Sequence, residues 1–326
     1  MKRARLIYNP TSGREEMRRR LPEILQRLES AGIETSCHAT SEAGDAAKAA
    51  RIAVERHFDF IIAAGGDGTI NEVVNGIAGL EHRPPIGILP MGTSNDFARA
   101  LGIPKDWESA CDIIAAQYSR PMDIGELLLD GGAKRCFLNN VGAGVITELS
   151  YEVPSKLKTV LGQMAYYVKG LEKLTKLAPM HIHLTMDDVM YDGDVMLFLL
   201  ANSGCVAGLE LLYPNSSYDD GYFDVMIVEK MLPPEFVFLA TTSLRGEHVN
   251  HPRVKFFRTR KLTARSDDLL QLNVDGELGG TSPFEVSIMP NHIRVIVDEH
   301  GESSYKKDRL NWNWPFLRGA DGVSGE

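Results

Sequence analysis

The sequence predicts a mixed α/β protein: a doubly wound parallel-sheet domain, then a mostly antiparallel β-sandwich domain. Three observations predict it. Strand-type runs alternate with helix-type spacing over roughly the first 120 residues. After residue 122 strand-type runs follow one another, most of them separated by turn residues. The length of 326 residues suits about two domains.

The elements follow in order. Residues 5–8 form a short strand, and Met17, Leu21, Ile24, Leu25 and Leu28 recur at helical spacing. Residues 35–39 read as a second strand, and Ala43, Ala46, Ala47, Ala50 and Val54 mark a second helix. The run Phe58-Asp59-Phe60-Ile61-Ile62-Ala63-Ala64 has the composition of a buried parallel strand. Ile70, Val73, Val74 and Ile77 then share one helix face, and residues 86–89 give a fourth strand. Beyond residue 122, strands are expected at 124–129, 135–139, 181–186, 195–201, 223–228, 254–258, 269–274, 284–288 and 293–297. Helical inserts are expected near 157–177 and 235–244. The expected domains are 1–122 and 123–300, with the last strand returning toward the first domain. The tail, 301–326, is polar apart from Trp312, Trp314 and Phe316, and is expected to be flexible.

Composition narrows the function classes. With 44% hydrophobic and 24% charged residues, the chain is that of an ordinary soluble globular protein. A net charge of -9 argues against a general nucleic-acid binder. The four cysteines (Cys37, Cys111, Cys136, Cys205) form no CxxC pair and read as reduced, cytosolic core residues. The first residues lack the apolar run of a signal peptide, and no stretch approaches the roughly 20 apolar residues of a membrane helix.

The most informative segment is Gly65-Gly66-Asp67-Gly68-Thr69-Ile70-Asn71-Glu72-Val73-Val74-Asn75-Gly76. A strand ending in glycines and turning into a helix start lets backbone N–H groups approach an anion, and the helix dipole favours negative charge there. Asp67 within that turn would repel a phosphate unless a cation lies between them, which points to a magnesium nucleotide. Three further loops end strands at the same sheet edge: Asn9-Pro10-Thr11-Ser12-Gly13, Thr40-Ser41 and Gly92-Thr93-Ser94-Asn95-Asp96. Each alone reads equally as a plain turn or a helix cap; together they favour a nucleotide crevice. GxxxxGK[ST], GxGxxG and GxSxG are absent. His181 and His183 alternate along a strand with no third ligand nearby in sequence, and read as surface residues.

The segment 65–76 resembles the signature of the diacylglycerol kinase catalytic-domain family, in its soluble bacterial, Gram-positive form. Asn9 to Gly13 and Gly92-Thr93-Ser94-Asn95-Asp96-Phe97-Ala98-Arg99 are similar to that family's other nucleotide-side motifs. Gly-Gly-Asp-Gly-Thr alone is shared with NAD kinases; the extension Asn71 to Gly76 is more specific to lipid kinases. The resemblance implies ATP-dependent phosphorylation of diacylglycerol to phosphatidate, with ATP contacted by Asn9, Pro10, Thr11, Ser12, Gly13, Thr40, Gly66, Asp67, Gly68, Thr69, Ile70, Asn71, Glu72 and Thr93. It implies Asp67 working with Mg2+ and the transferring phosphate, and Glu277, in Asp275-Gly276-Glu277, as general base. Asp219-Asp220-Gly221-Tyr222 looks like the family's metal motif, with Asp220 reaching the ion, backbone oxygens from about Ser217 and Tyr222 completing it, and Asp123 linking that ion to the nucleotide side. By residue type alone, both Asp-Gly segments also read as turns.

A diacylglycerol substrate lies in the bilayer, so the chain is expected to be cytoplasmic and to dock peripherally on the inner membrane face. Two basic regions are candidates for an anionic lipid surface. One is the Lys156–Lys176 helix, carrying Lys156, Lys158, Lys169, Lys173 and Lys176 against Glu172. The other is the N-terminal cluster Lys2, Arg3, Arg5, Arg14, Arg18, Arg19 and Arg20. A family-like homodimer is expected, and no nucleic-acid partner. The competing readings are a kinase of the same fold acting on another lipid, and a non-catalytic nucleotide- or lipid-responsive regulator.

Overall fold

Parallel pairing builds the first half of the computed structural model, which describes residues 1–144, 178–202, 204, 212–213, 216–243 and 246–299. β1 (Lys2–Tyr8) lies between β2 (Ile33–Ala39) and β3 (Phe60–Gly65), and β4 (Ile86–Pro90) joins beyond β3. The crossovers are α1 (Ser12–Ser30), α2 (Asp45–Glu55) and α3 (Asp67–Ile77). Every residue of β3 and β4 is buried, as a parallel strand covered on both faces requires. α3 buries Ile70, Val73, Val74 and Ile77 against this core, each worth about 1.5–3 kcal/mol of burial as an upper bound. The carboxyl ends of β1 to β4 bring the loops at 9–13, 40–44, 66 and 91–95 to one edge. Two helices follow, α4 (Asp96–Ala100) and α5 (Trp107–Ala116).

Antiparallel pairing builds the second half from β5 (Ser119–Leu129), β6 (Lys134–Phe137), β7 (Asn140–Gly144), β8 (Met180–Met186) and β9 (Val189–Ala201). It continues through β10 (Phe223–Glu229), β11 (Val254–Thr259), β12 (Lys261–Ser266), β13 (Gln271–Val274), β14 (Glu277–Thr281) and β15 (Phe284–Ile296). A helix, Pro233–Ser243, covers the outer face of β9 and β10. The inner faces meet across the sandwich, where Phe137 stacks on Phe223 at 5.5 Å between ring centroids.

β15 joins the two halves. Its first part pairs with β12 and its last part pairs in parallel with β4, at Val295 and Ile86. β5 runs antiparallel along nearly all of it. Met122, Ile124, Ile293 and Val295 therefore serve the first core, and Leu127, Phe284 and Val286 the second. All described strands thus belong to one hydrogen-bonded sheet.

Several elements differ from the sequence reading. The run at 135–139 divides into β6 and β7, and 284–288 and 293–297 merge into one strand with an irregularity between Met289 and Ile293. Strands β12 and β14 and helix α5 are additional. The inserts at 157–177 and the tail at 301–326 lie outside the described residues, as does the end of the helix expected at 235–244.

Candidate active site

Close glycine contacts hold the nucleotide-side loops together. Gly66 is the extended residue before α3, and a Cβ on Gly92 would stand 2.5 Å from the Gly66 Cα. Gly13 has φ +59°, and a Cβ there would stand 2.6 Å from the Met91 carbonyl oxygen. Asn95 clasps the β4 loop from a left-handed conformation: its Oδ1 accepts from Gly92 N at 2.8 Å and its Nδ2 donates to Gly92 O at 3.0 Å. Asn9 Oδ1 accepts from Thr11 N and Thr11 Oγ1, at 3.0 and 2.8 Å, and so shapes the first loop. Thr40 N donates to Tyr8 O at 2.9 Å, which brings the end of β2 to the same edge. Thr93 is exposed on its loop, and Pro10 and Ser12 are half-buried in theirs.

The glycine turn distributes its side chains in different directions. Asp67 is half-buried, and its Oδ1 accepts from Phe97 N at 3.1 Å. Gly68 is exposed, and a Cβ on Gly65 would stand 2.4 Å from Thr69 Oγ1. Ile70 is wholly buried in the core, and its N donates to Gly66 O at 3.2 Å. Glu72 Oε2 accepts from Ala46 N at 3.2 Å, in the first turn of α2. Asn71 reaches across to the second half of the molecule, with Nδ2 2.8 Å from Asp275 Oδ2 and 3.3 Å from Cys136 O.

Asp275 is the anchor of the opposite wall. Asp275 and Gly276 have φ of 50° and 88°, the two positive values of a tight hairpin, and they join β13 to β14. The Asp275 carboxylate accepts from Leu138 N at 2.7 Å, Asn139 N at 2.8 Å and Asn140 N at 3.0 Å, besides Asn71. Burial pushes this carboxyl above its ordinary value, and the backbone donors hold it down against that push. Asn75, one helical turn after Asn71, completes the seam: its Nδ2 donates to Cys136 O at 2.9 Å and its Oδ1 accepts from Cys136 N at 2.8 Å.

This hairpin delivers Glu277 to the glycine turn. Glu277 Oε1 lies 3.3 Å from the position a Cβ on Gly68 would occupy. Its other oxygen is 3.9 Å from the Arg135 guanidinium, and the side chain is otherwise open to solvent. Glu277, far from Asp67 in sequence, is thus brought next to the residue that follows it.

The loop at 217–222 sits beside this seam. Asp123 is fully buried; Gly221 N donates to its Oδ2 at 2.6 Å and Asn291 N to its Oδ1 at 2.7 Å. Tyr218 packs edge-on against Phe97, with centroids 5.1 Å apart, and its hydroxyl donates to Asn139 Oδ1 at 2.8 Å. Ser217 Oγ donates to Asp219 Oδ1 at 2.6 Å, and Arg120 donates to Asp219 Oδ2 at 2.8 Å. Asp220 Oδ2 accepts from the Arg258 guanidinium, and its Oδ1 accepts from Tyr222 N at 3.0 Å. Burial raises the Asp220 carboxyl, and Arg258 opposes that. The Tyr222 ring contacts Arg258 and Arg260, at 5.0 and 4.6 Å from its centroid. A guanidinium therefore stands where a cation on Ser217, Asp220 and Tyr222 would bind Asp220. In this arrangement Asp220 Oδ2, an oxygen the expected metal motif would offer, is engaged by Arg258.

Asp275, Asn75, Asn95, Tyr218 and Arg258 shape the site although sequence reasoning gave them no role. Asn75, Asn95 and Asp275 lay inside motifs the sequence singled out, whereas Tyr218 and Arg258 carried no local signal. The N-terminal basic cluster is partly absorbed by its surroundings. Arg3 lies over the Phe58 ring at 4.7 Å, Arg5 bonds Ser36, and Arg20 pairs with Glu23 at 2.8 Å, while Arg18 and Arg19 are exposed. The Lys156–Lys176 segment lies outside the described residues. No helix among the described residues is long and apolar enough to cross a membrane.

Comparison with known proteins agrees with this fold. Residues 3–127 match the diacylglycerol kinase catalytic domain, and residues 139–297 the YegS C-terminal NAD kinase beta sandwich-like domain. The diacylglycerol kinase of Bacillus subtilis (strain 168) is 50% identical over 298 residues, 91% of this chain and 97% of that protein. That of Staphylococcus saprophyticus is 46% identical over 295 residues, 90% of this chain and 95% of that protein. A crystal structure of a diacylglycerol kinase from Bacillus anthracis str. Sterne superposes with a TM-score of 0.76 at 27% identity, covering 91% of this chain and 98% of that one. With its doubly wound domain, its sandwich and its shared crevice, the chain belongs to the diacylglycerol kinase family.

Proposed function

We propose that the chain transfers the γ-phosphoryl group of ATP to the free hydroxyl of diacylglycerol, giving phosphatidate and ADP. The observation that supports it is the placement of Glu277 beside Gly68, the residue after Asp67. ATP lies along Asn9 to Gly13, Thr40, Gly66 to Glu72 and Thr93, with its phosphates toward the first N–H groups of α3. Ile70, Asn71 and Glu72 brace the turn.

Glu277 accepts the lipid hydroxyl proton as that oxygen bonds to the γ-phosphorus. The bond from the γ-phosphorus to the β,γ-bridging oxygen breaks, and ADP departs with the electron pair. Asp67 offers a carboxylate oxygen, the donor type a hard divalent cation takes, and its other oxygen is fixed by Phe97 N. Mg2+ bound with the nucleotide supplies charge neutralisation at the phosphates. The protein acts at the inner membrane face as a peripheral enzyme, with Arg18 and Arg19 among the groups available to anionic lipid.

The test is phosphate transfer from ATP in mixed micelles containing diacylglycerol, sphingosine, phosphatidylglycerol or undecaprenol. Transfer to diacylglycerol well above the others is expected. Preferred transfer to another lipid overturns the substrate, and ATP turnover independent of lipid overturns the whole reading.

A further inference from the structure

A second cluster of ligating side chains lies on the outer face of the sandwich. In β8, Met180, Ile182, Leu184 and Met186 are buried, so His181 and His183 share the opposite, outward face. The register of β9 sets Asp194 against His181 and Asp192 against His183. Just past β12, Asp267 arrives at the same face from the other side. The third ligand that the sequence lacks locally therefore comes from a neighbouring strand.

The contacts order the two rings. His181 Nδ1 lies 2.8 Å from Asp194 Oδ1, and His183 Nδ1 lies 2.7 Å from Asp192 Oδ2. The other nitrogens also face carboxylates: His181 Nε2 is 3.1 Å from Asp192 Oδ1, and His183 Nε2 is 3.5 Å from Asp267 Oδ1. A neutral imidazole donates from one nitrogen only. With each Nδ1 serving its aspartate, each Nε2 points at a further carboxylate oxygen, the place where a proton or a metal ion would sit. One nitrogen from each ring and one Asp267 oxygen already lie within 4.8 Å of one another. Around a tetrahedral zinc ion, ligand atoms stand roughly 3.3–3.5 Å apart, so small rotations of exposed side chains close the set. Asp194 and Asp192 then hold the rings by their Nδ1–H groups, as carboxylates do in histidine metal sites. Lys230 stands 3.0 Å from Asp194, and Arg265 faces His183 in register.

We propose that His181 Nε2, His183 Nε2 and Asp267 bind one divalent transition-metal ion of the zinc class. Two imidazoles and a carboxylate favour zinc over magnesium or calcium, which take oxygen donors. The ion clips β8 to the end of β12, with β9 supplying the orienting carboxylates. None of these residues contacts Asp67, Glu277 or the glycine turn, so the site acts on sandwich stability and not on the transfer step.

The experiment titrates Zn2+ alone into the full chain, following heat and competition with a chromophoric chelator, beside His181→Ala, His183→Ala and Asp267→Asn. One equivalent at micromolar affinity is expected for the natural chain. Each histidine variant should bind at least about tenfold more weakly. Co2+ should give the intense visible bands of a tetrahedral nitrogen–oxygen site, and either histidine change should abolish them. The substituted side chains are exposed, and unchanged circular dichroism verifies folding. Absence of stoichiometric binding overturns the proposal. So does binding of unchanged affinity in the histidine variants, which would place the ion on other groups such as Cys37.

Discussion

Glu277 Oε1 lies 3.3 Å from the point where a side chain on Gly68 would begin. The base candidate thus stands beside the phosphate-side turn, and a methyl group on Gly68 would press on its carboxylate. Glu277→Gln should keep the fold and nucleotide binding while lowering kcat about 10²–10⁴-fold. Gly68→Ala should displace the carboxylate and cost about tenfold or more in kcat, with the melting temperature kept. Steady-state kinetics beside thermal unfolding checks both. A fully active Glu277→Gln enzyme removes Glu277 from the base role.

Asn71 and Asp275 meet at 2.8 Å although they are 204 positions apart. This bond ties the glycine-turn helix to the hairpin that carries Glu277. A hydrogen bond to a charged partner is worth about 1.5–3 kcal/mol. A double-mutant cycle with Asn71→Ala and Asp275→Ala should give coupling in that range. Asp275→Ala alone should also lower kcat, because the hairpin loses its anchors on residues 138–140. Coupling below about 0.5 kcal/mol would mean the two walls are held independently.

The contrast between these two residues shows what the sequence made legible. The parallel half was readable because β3 is apolar throughout and ends in glycines, so strand, turn and helix follow from local chemistry. The Asp275 turn was readable as a turn. Its contacts to Leu138, Asn139, Asn140 and Asn71 depend on which strands become neighbours, and no local pattern encodes that. Strand β12 was missed because Lys261 and Arg265 on its outer face mask the buried Leu262 and Ala264. The Arg258–Asp220 pair was missed for the same reason as Asp275: it joins distant segments through the sheet.

Gly92 packs on Gly66 at backbone level. Gly92→Ala would put its Cβ 2.5 Å from the Gly66 Cα and 2.7 Å from Asn95 Oδ1, and neither backbone nor clasp can yield cheaply. About 1–3 kcal/mol of stability should be lost, together with ATP affinity. Gly79→Ala is the control, because a Cβ there meets nothing within 4 Å. Chemical denaturation and nucleotide titration separate the two effects; equal behaviour of the two variants would reject the close-packing argument.

Arg258 compensates Asp220 in the loop beside the seam. Arg258→Gln should leave a half-buried carboxylate without its cation and cost about 1–2 kcal/mol. The vacated carboxylate should then accept Mg2+, so added Mg2+ should raise the melting temperature of the variant more than that of the natural chain. Equal stabilisation of both would show that the guanidinium does not compete with a metal.

His248 gives the fold an acid-sensitive point. It is 1% exposed, Nε2 is 3.3 Å from Leu212 O, and Nδ1 is buried with no hydrogen-bond partner among the described residues. Burial holds its pKa below the ordinary value. In the unfolded chain the ring takes a proton near pH 6.5, whereas the folded ring takes it only at lower pH. Between those values the unfolded state binds more protons, so stability falls as pH falls. The loss begins near about pH 6.5, continues to the folded pKa, and has a maximum slope of about 1.4 kcal/mol per pH unit. His248→Gln keeps a donor for Leu212 O and cannot take the proton. Urea midpoints measured from about pH 7.5 to about pH 5 should therefore converge, the natural chain losing stability faster than the variant. Parallel curves would mean that the ring is already protonated or relieved in the folded state, and would reject this account of the buried Nδ1.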